Sequence, residues 1–436
     1  VLYTDALEFL YSFVDYERQE ITPRATRDFD LERFARLLHL LDKPQDSFRI
    51  VHIAGTNGKG STAAVLANIL SHAGFRVGLY TSPHLKHIRE RIRVDGVDIS
   101  REEFAEGIEQ IQMKHFLLDD SQGGYRTVFE IVTALALLYF QRRNVDWAVV
   151  EAGLGGRLDA TNVLTAEITL LTPIDIDHSK ILGETLSEIA AEKAAIIKPG
   201  TLALSAPQKP AVRRVLFSKG DELGVSVRIL GRDYEYQALR VDLSGTDFLL
   251  EGKEYHTKLL GGYQVINCAL AGAAILYLQE KGLVDGIEGA IAPGFQNPRW
   301  PGRLEVWAGK PTLIFDGAHN PGGAEQLARS FKELFGEERC VLVLGVTRGK
   351  DAVGIASALV PLAHAVVITQ ADFPRAMPAG RLARIVGEYI DNVRVEERMM
   401  DAMEVAKELS CGNRPILVAG SLYLIGDVQR KLSPDD

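Results

Sequence analysis

Ile50-Val51-His52-Ile53-Ala54-Gly55-Thr56-Asn57-Gly58-Lys59-Gly60-Ser61-Thr62 is an apolar, β-type run that stops at a glycine-rich turn carrying Lys59, Ser61 and Thr62. Those are the parts of a phosphate cradle. Glycines let backbone N–H groups converge on phosphate oxygens, the following helix presents its positive end, the lysine adds a point charge, and a hydroxyl can ligate Mg²⁺. The strict G-x-x-x-x-G-K-[ST] pattern is not met: Ile53 stands where its first glycine belongs, and Gly60 follows Lys59. The hydroxyl ligand then comes from Ser61 or Thr62, with Ser61 favoured. A strand-to-helix turn with no ligand is the competing reading.

The chain has 436 residues, more than one core usually organises, so two domains are expected. With 46% hydrophobic and 25% charged residues it has the composition of a globular protein. A net charge of −9 argues against nucleic acid or an anionic membrane as the main partner. Cys268, Cys340 and Cys411 have neither metal nor disulfide spacing and read as small buried residues of a reducing compartment. No apolar run approaches the ~18 residues of a membrane span, so a cytoplasmic protein is expected.

Outward from the loop, residues 60–73, 101–115 and 127–143 read as helices. Val77–Tyr80, Trp147–Glu151 and Ile168–Thr172 read as strands, and a capped helix is expected from Thr185 to Ile197. This alternation implies a parallel, doubly wound sheet whose ligands sit at the strands' carboxyl ends, where Gly55, Ser82, Glu151 and His178 fall. Short antiparallel segments are expected over 225–260 and a helix over 263–280. Pro293, Gly294, Asn297, Pro298, Pro301 and Gly302 form a breaker cluster read as the interdomain linker. Beyond it α/β alternation restarts, without a G-x-G-x-x-G, as a second Rossmann-like unit.

Several residues carry candidate chemistry beside plainer readings. Glu151, at a strand end next to the cradle, suits Mg²⁺ or is simply solvated. His178, beside Asp175 and Asp177, suits a metal or phosphate contact or is a satisfied loop histidine. Lys193 reads as half of a helix-surface ion pair. Phe315-Asp316-Gly317-Ala318-His319-Asn320-Pro321 puts an acid, a histidine and an amide at a strand-to-helix turn, where Asn320 also suits a helix cap.

The whole set resembles the folylpolyglutamate synthase and dihydrofolate synthase family of the Mur ligase superfamily. The likeness runs through Gly55–Ser61, Thr81–Leu85 with Glu90–Ile92, Phe129-Glu130 with Thr133, Glu151–Asn162, Asp177-His178, Glu192-Lys193-Ala194, Tyr263-Gln264 with Asn267, Pro301–Glu305, Asp316–Pro321 and Gly420–Tyr423. It implies a P-loop NTPase-like, mostly parallel α/β domain over 1–297, with a small added β-sheet and the folate or pteroate site. A C-terminal Rossmann-like glutamate ligase domain over 298–436 would follow.

The resemblance also implies ATP-dependent ligation of L-glutamate to a reduced folate or dihydropteroate through an acyl phosphate, by a monomer. Gly55, Thr56, Asn57, Gly58, Lys59, Gly60, Ser61, Thr62, Asn267, Arg303 and Asp316 would bind ATP. Ser61 and Glu151 would hold one Mg²⁺; Ser82, Glu151 and His178 would hold a second. Lys59, Lys193, His178, Asp316 and His319 would serve catalysis, Lys193 as a CO2-derived carbamate. Phe129, Asp159, His319 and Ser421 would meet substrate, and Gly156–Asn162 resembles the version in bifunctional members. Two positions depart from the family pattern: Ala195 replaces a glycine after the lysine motif, and Asp30-Leu31-Glu32-Arg33 replaces Gly-Leu-x-Arg. A ligase of UDP-linked peptides and a nucleotide-sensing module are the alternatives.

Overall fold

The computed structural model describes residues 1–19, 30–115 and 127–433. Eight strands form the first sheet: β1 (Arg49–Ala54), β2 (Val77–Tyr80), β3 (Ile92–Val94), β4 (Val97–Asp98), β5 (Trp147–Glu151), β6 (Ile168–Leu171), β7 (Leu202–Ser205) and β8 (Val227–Ile229). Their order is β4-β3-β2-β5-β1-β6-β7-β8, parallel except at the β3–β4 edge. Helices cover both faces, which is why β1 and β5 are apolar almost throughout rather than alternating. Register places Glu151 beside Ile53, so the acid emerges next to the glycine-rich turn. The helix after that turn, Lys59–His72, packs under Tyr263–Glu280 and Glu288–Gln296.

A three-stranded antiparallel sheet follows, made of β9 (Tyr236–Asp242), β10 (Gly245–Leu250) and β11 (Lys253–Thr257). The antiparallel expectation for 225–260 therefore holds from Tyr236 onward, whereas Val227–Ile229 pairs in parallel with β7. The last sheet contains β12 (Glu305–Trp307), β13 (Leu313–Asp316), β14 (Cys340–Leu344), β15 (Ala363–Ile368), β16 (Val393–Val395) and β17 (Ile416–Ala419), in the order β12-β13-β17-β14-β15-β16. Only β12 runs antiparallel.

The breaker cluster is shorter than its composition suggests. Pro293 and Gly294 lie inside Glu288–Gln296, which the Asn68 Nδ2 to Gly294 O hydrogen bond (2.8 Å) ties to the phosphate helix. Tertiary packing there outweighs local propensity, and the connection to β12 begins at Asn297. Cys268 and Cys340 are buried as expected, but Cys411 is exposed, because it ends the helix Met399–Ser410 in a left-handed turn. Among the described residues no helix is long and apolar enough to cross a membrane.

Candidate active site

The glycine-rich turn is fastened from beneath. The N–H groups of Thr56 and Asn57 donate to Pro173 O at 3.0 and 3.2 Å, and Thr56 Oγ1 exchanges hydrogen bonds with the Asp175 backbone. Gly58 caps the helix with φ 86°, and a Cβ there would lie 2.2 Å from Asn267 Oδ1. Only glycine lets Asn267, itself held by Gln264 at 2.8 Å, sit over the turn. Thr62 N–H closes the first turn on Gly58 O at 2.9 Å. The N–H groups of Lys59, Gly60 and Ser61 are left without an intrahelical acceptor, the arrangement that receives phosphate oxygens.

Three charged groups converge on this turn. Glu151 is buried, with one oxygen 3.7 Å from Lys59 Nζ and the other accepting from Ser82 N–H at 3.2 Å. Burial raises its pKa while Lys59 works against the rise. A buried carboxylate with so distant a counter-charge, held by the Ser82 N–H at the strand end next to the glycine-rich turn, fits a hard divalent cation that also takes phosphate oxygens. No cluster of three or more His, Cys, Asp or Glu suited to a metal is present among the described residues, so hydroxyl and phosphate oxygens would have to complete the shell.

Lys193 is not on the surface. It is 5% exposed and donates to Gly55 O at 2.8 Å, with a pKa lowered to about 7 by burial and then by Lys59. Its neighbour Glu192 makes the surface pair instead, with Arg157 at 2.9 Å.

A second group joins the two large sheets. Asn57 and Asn320 pair through their side-chain amides (3.0 Å), and Asn320 Nδ2 also reaches Asp177 Oδ2 at 3.1 Å while its oxygen caps Pro321–Phe335. Lys350 Nζ donates to both Asp177 oxygens (2.7 and 2.9 Å) and lies 3.0 Å from His178 Nε2. Burial alone would raise the Asp177 pKa, but Lys350 and the two histidines outweigh it and hold the carboxyl well below its usual range. His178 and His319 are pushed down to about 3 and 4, by burial first and Lys350 next. Both are therefore neutral near pH 7, as a metal ligand or a proton acceptor must be.

Asp316 belongs to a third group. Its oxygens accept from Tyr263 Oη, Leu304 N–H and Ala318 N–H at 3.1, 2.8 and 2.8 Å, and burial raises its pKa against the pull of Arg303.

Beside the Lys350 group lies a cavity of about 320 Å³, lined by Phe129, Asp159, His178, His319, Lys350 and Ser421 among others. Asp30 and Leu31 also line it, Asp30 capping the helix Leu31–Leu40 through Arg33 N–H at 3.1 Å. All four sequence-derived substrate candidates thus face one space.

A Mur ligase middle domain matches residues 53–275, and a Mur ligase, glutamate ligase domain matches residues 302–422. The dihydrofolate synthase/folylpolyglutamate synthase of Bacillus subtilis (strain 168) is 35% identical over 411 residues, 92% of this chain and 94% of that protein. The chain belongs to this Mur ligase family. Mycobacterium tuberculosis folylpolyglutamate synthase complexed with ADP superposes with a TM-score of 0.89 at 35% identity, over 99% of this chain and 98% of that one. E. coli FolC in complex with DHPP and ADP gives 0.86 at 28% identity, over 100% and 98%. The family's mostly parallel α/β sheet and second α/β domain are the architecture described above.

Sequence reasoning missed Lys350 and His52. Lys350 lies on the loop after β14, a strand whose carboxyl end meets the cleft, and that position was the signal available.

Proposed function

We propose that this chain is an ATP-dependent carboxylate–amine ligase that joins L-glutamate to a folate or pteroate carboxylate. The observation carrying this reading is a continuous path. The phosphate turn connects through Asn57, Asn320 and Asp177 to Lys350 and His178, which border the cavity that Asp159 and Phe129 also line.

In the proposed reaction a substrate carboxylate oxygen attacks the γ-phosphorus of ATP and ADP leaves. The glutamate amine then attacks the acyl carbon, and phosphate departs with that oxygen. Gly55–Thr62 with Asn267 and Arg303 binds the nucleotide, and Lys59 neutralises charge growing on the transferred group. His319, neutral and at the cavity wall, would contact the attacking amine, and Asp316, in the field of Arg303, would contact ATP. Ser61, Ser82, Glu151 and His178 would hold Mg²⁺, which shields the phosphate charge from the carboxylates. Lys193 suits carbamylation: its neutral amine attacks CO2, a N–C bond forms and a proton is released, leaving an anion beside Lys59.

We place the domain boundary at 297/298, in the stretch between Gln296 and β12, and read the chain as a cytoplasmic monomer, since one chain supplies every group in this scheme. Gly156–Asn162 supports dihydropteroate as well as reduced folate. Phosphate release is the test, measured with ATP and glutamate plus dihydropteroate, tetrahydrofolate or a UDP-muramyl peptide. Release with a pterin substrate alone supports the reading. Release only with the UDP-peptide, or glutamate-independent binding of ATP without turnover, overturns it.

A further inference from the structure

His52 is a charged-type residue in the wrong place. It lies in the middle of β1, between Val150 of β5 and Thr169 of β6, and is fully buried. Ile50 and Ala54, two residues to either side and so on the same face of the strand, are buried aliphatic side chains. Burial, and then Lys198, lower its pKa to about 3, so the ring is neutral.

One nitrogen of that ring is engaged. Nε2 lies 2.8 Å from Thr161 Oγ1, and Thr161 Oγ1 lies 2.5 Å from Asp159 Oδ1, to which it donates. A hydroxyl has one proton. Since Thr161 gives its own to the carboxylate, it must accept from the ring, and His52 therefore carries its proton on Nε2. The other nitrogen, Nδ1, is buried and has no hydrogen-bond partner among the described residues, a cost an apolar side chain would avoid. The polar chain points one way: from the sheet interior, through a hydroxyl, to a carboxylate on the cavity wall.

We infer that His52 and Thr161 are positioning residues for Asp159, a directed hydrogen-bond chain that keeps this carboxylate aimed and ionised toward the substrate's hydrogen-bond donors. Asp159 needs the help. It is 6% exposed, forms no salt bridge among the described residues, and burial raises its pKa against the hydrogen bonds from Thr161 and Leu154. Oδ1 receives both the Thr161 N–H (3.0 Å) and its hydroxyl, and Oδ2 receives the Leu154 N–H at 2.8 Å. These donors fix the carboxylate plane and occupy both lone pairs of Oδ1, leaving Oδ2 as the oxygen with room for a further N–H donor such as a 2-aminopterin edge presents. The chain thus sets recognition of the heterocycle, far from the phosphate turn, and the inference rests on the ligase reading above.

Steady-state kinetics of full-length Thr161→Val, Thr161→Ser, His52→Leu, His52→Gln and His52→Asn test it, with KM measured separately for dihydropteroate, tetrahydrofolate and ATP. Loss of the hydroxyl or ring donor should raise the KM of at least one pterin substrate about five- to tenfold, leaving that of ATP within about twofold. Ser should restore Thr161, and Gln, whose amide nitrogen reaches the Nε2 position, should restore His52. Asn, one carbon shorter, should behave like Leu, which keeps a comparison available if Val or Leu fails to fold. Pterin KM unchanged in folded variants, Gln and Asn alike, or pterin and ATP KM rising together, overturns the inference while leaving the ligase reading intact. A wild type that glutamylates no pterin overturns both.

Discussion

At the scale of single residues, burial does most of the chemical tuning. Lys193 is the clearest case, because a lysine held at about 7 changes from mostly charged to mostly neutral across the physiological range. The neutral amine is the form that captures CO2. Its fraction falls to about a tenth at pH 6 and rises to about nine tenths at pH 8. With dissolved CO2 held equal, we expect CO2-depleted enzyme to regain activity faster at pH 8 than at pH 6. Equal rates would count against a carbamate. Lys193→Ala should be inactive and partly rescued by short carboxylic acids. Lys59→Ala is expected to lose at least about a hundredfold in kcat with unchanged circular dichroism, since only the charge near the transferred phosphate goes. Near-normal turnover in that variant would remove Lys59 from the mechanism.

At the scale of elements, the helix after β1 starts where it does because Gly58 takes a conformation and a closeness that other residues cannot. Gly58→Ala adds left-handed strain of about 1–2 kcal/mol and drives a methyl into Asn267. Gly74→Ala has a similar φ of 88° with nothing within 4 Å and adds the strain alone. Calorimetry with a non-hydrolysable ATP analogue should find affinity reduced at least about tenfold for the first and unchanged for the second. Similar affinities would mean the turn does not hold phosphate.

These elements also mark what the sequence discloses. The apolar strands β1 and β5 and the helix 263–280 are legible because parallel sheets and buried helices write themselves as near-continuous apolar runs, and the helix 321–335 because Ala324, Leu327 and Phe331 recur at helical spacing among polar residues. The edge strand β12, three half-buried residues long, leaves no such pattern, and Pro293 hides a helix that packing sustains. The site shows the same division. Glu151, His178 and Asp316 sit at strand ends where the pattern points, whereas Lys350 and His52 acquire meaning only from partners 173 and 109 positions away.

At the scale of the whole molecule, the two large sheets are joined at the reaction centre itself, through the mostly buried Lys350–Asp177 pair. Breaking a buried pair leaves one charge uncompensated, so Lys350→Met should cost about 3 kcal/mol of stability. The double variant Lys350→Met, Asp177→Leu should recover most of that loss without recovering turnover. Urea unfolding with parallel assays checks both halves. Recovery of activity along with stability would show that the pair only holds the domains together.

In the proposed reaction a substrate carboxylate takes the γ-phosphoryl group of ATP before the glutamate amine attacks. Substrate labelled with ¹⁸O in that carboxylate, turned over with ATP and glutamate, tests it directly by mass spectrometry of the released phosphate. One ¹⁸O is expected in each phosphate released from doubly labelled carboxylate. Unlabelled phosphate, or release of pyrophosphate and AMP instead, would contradict it.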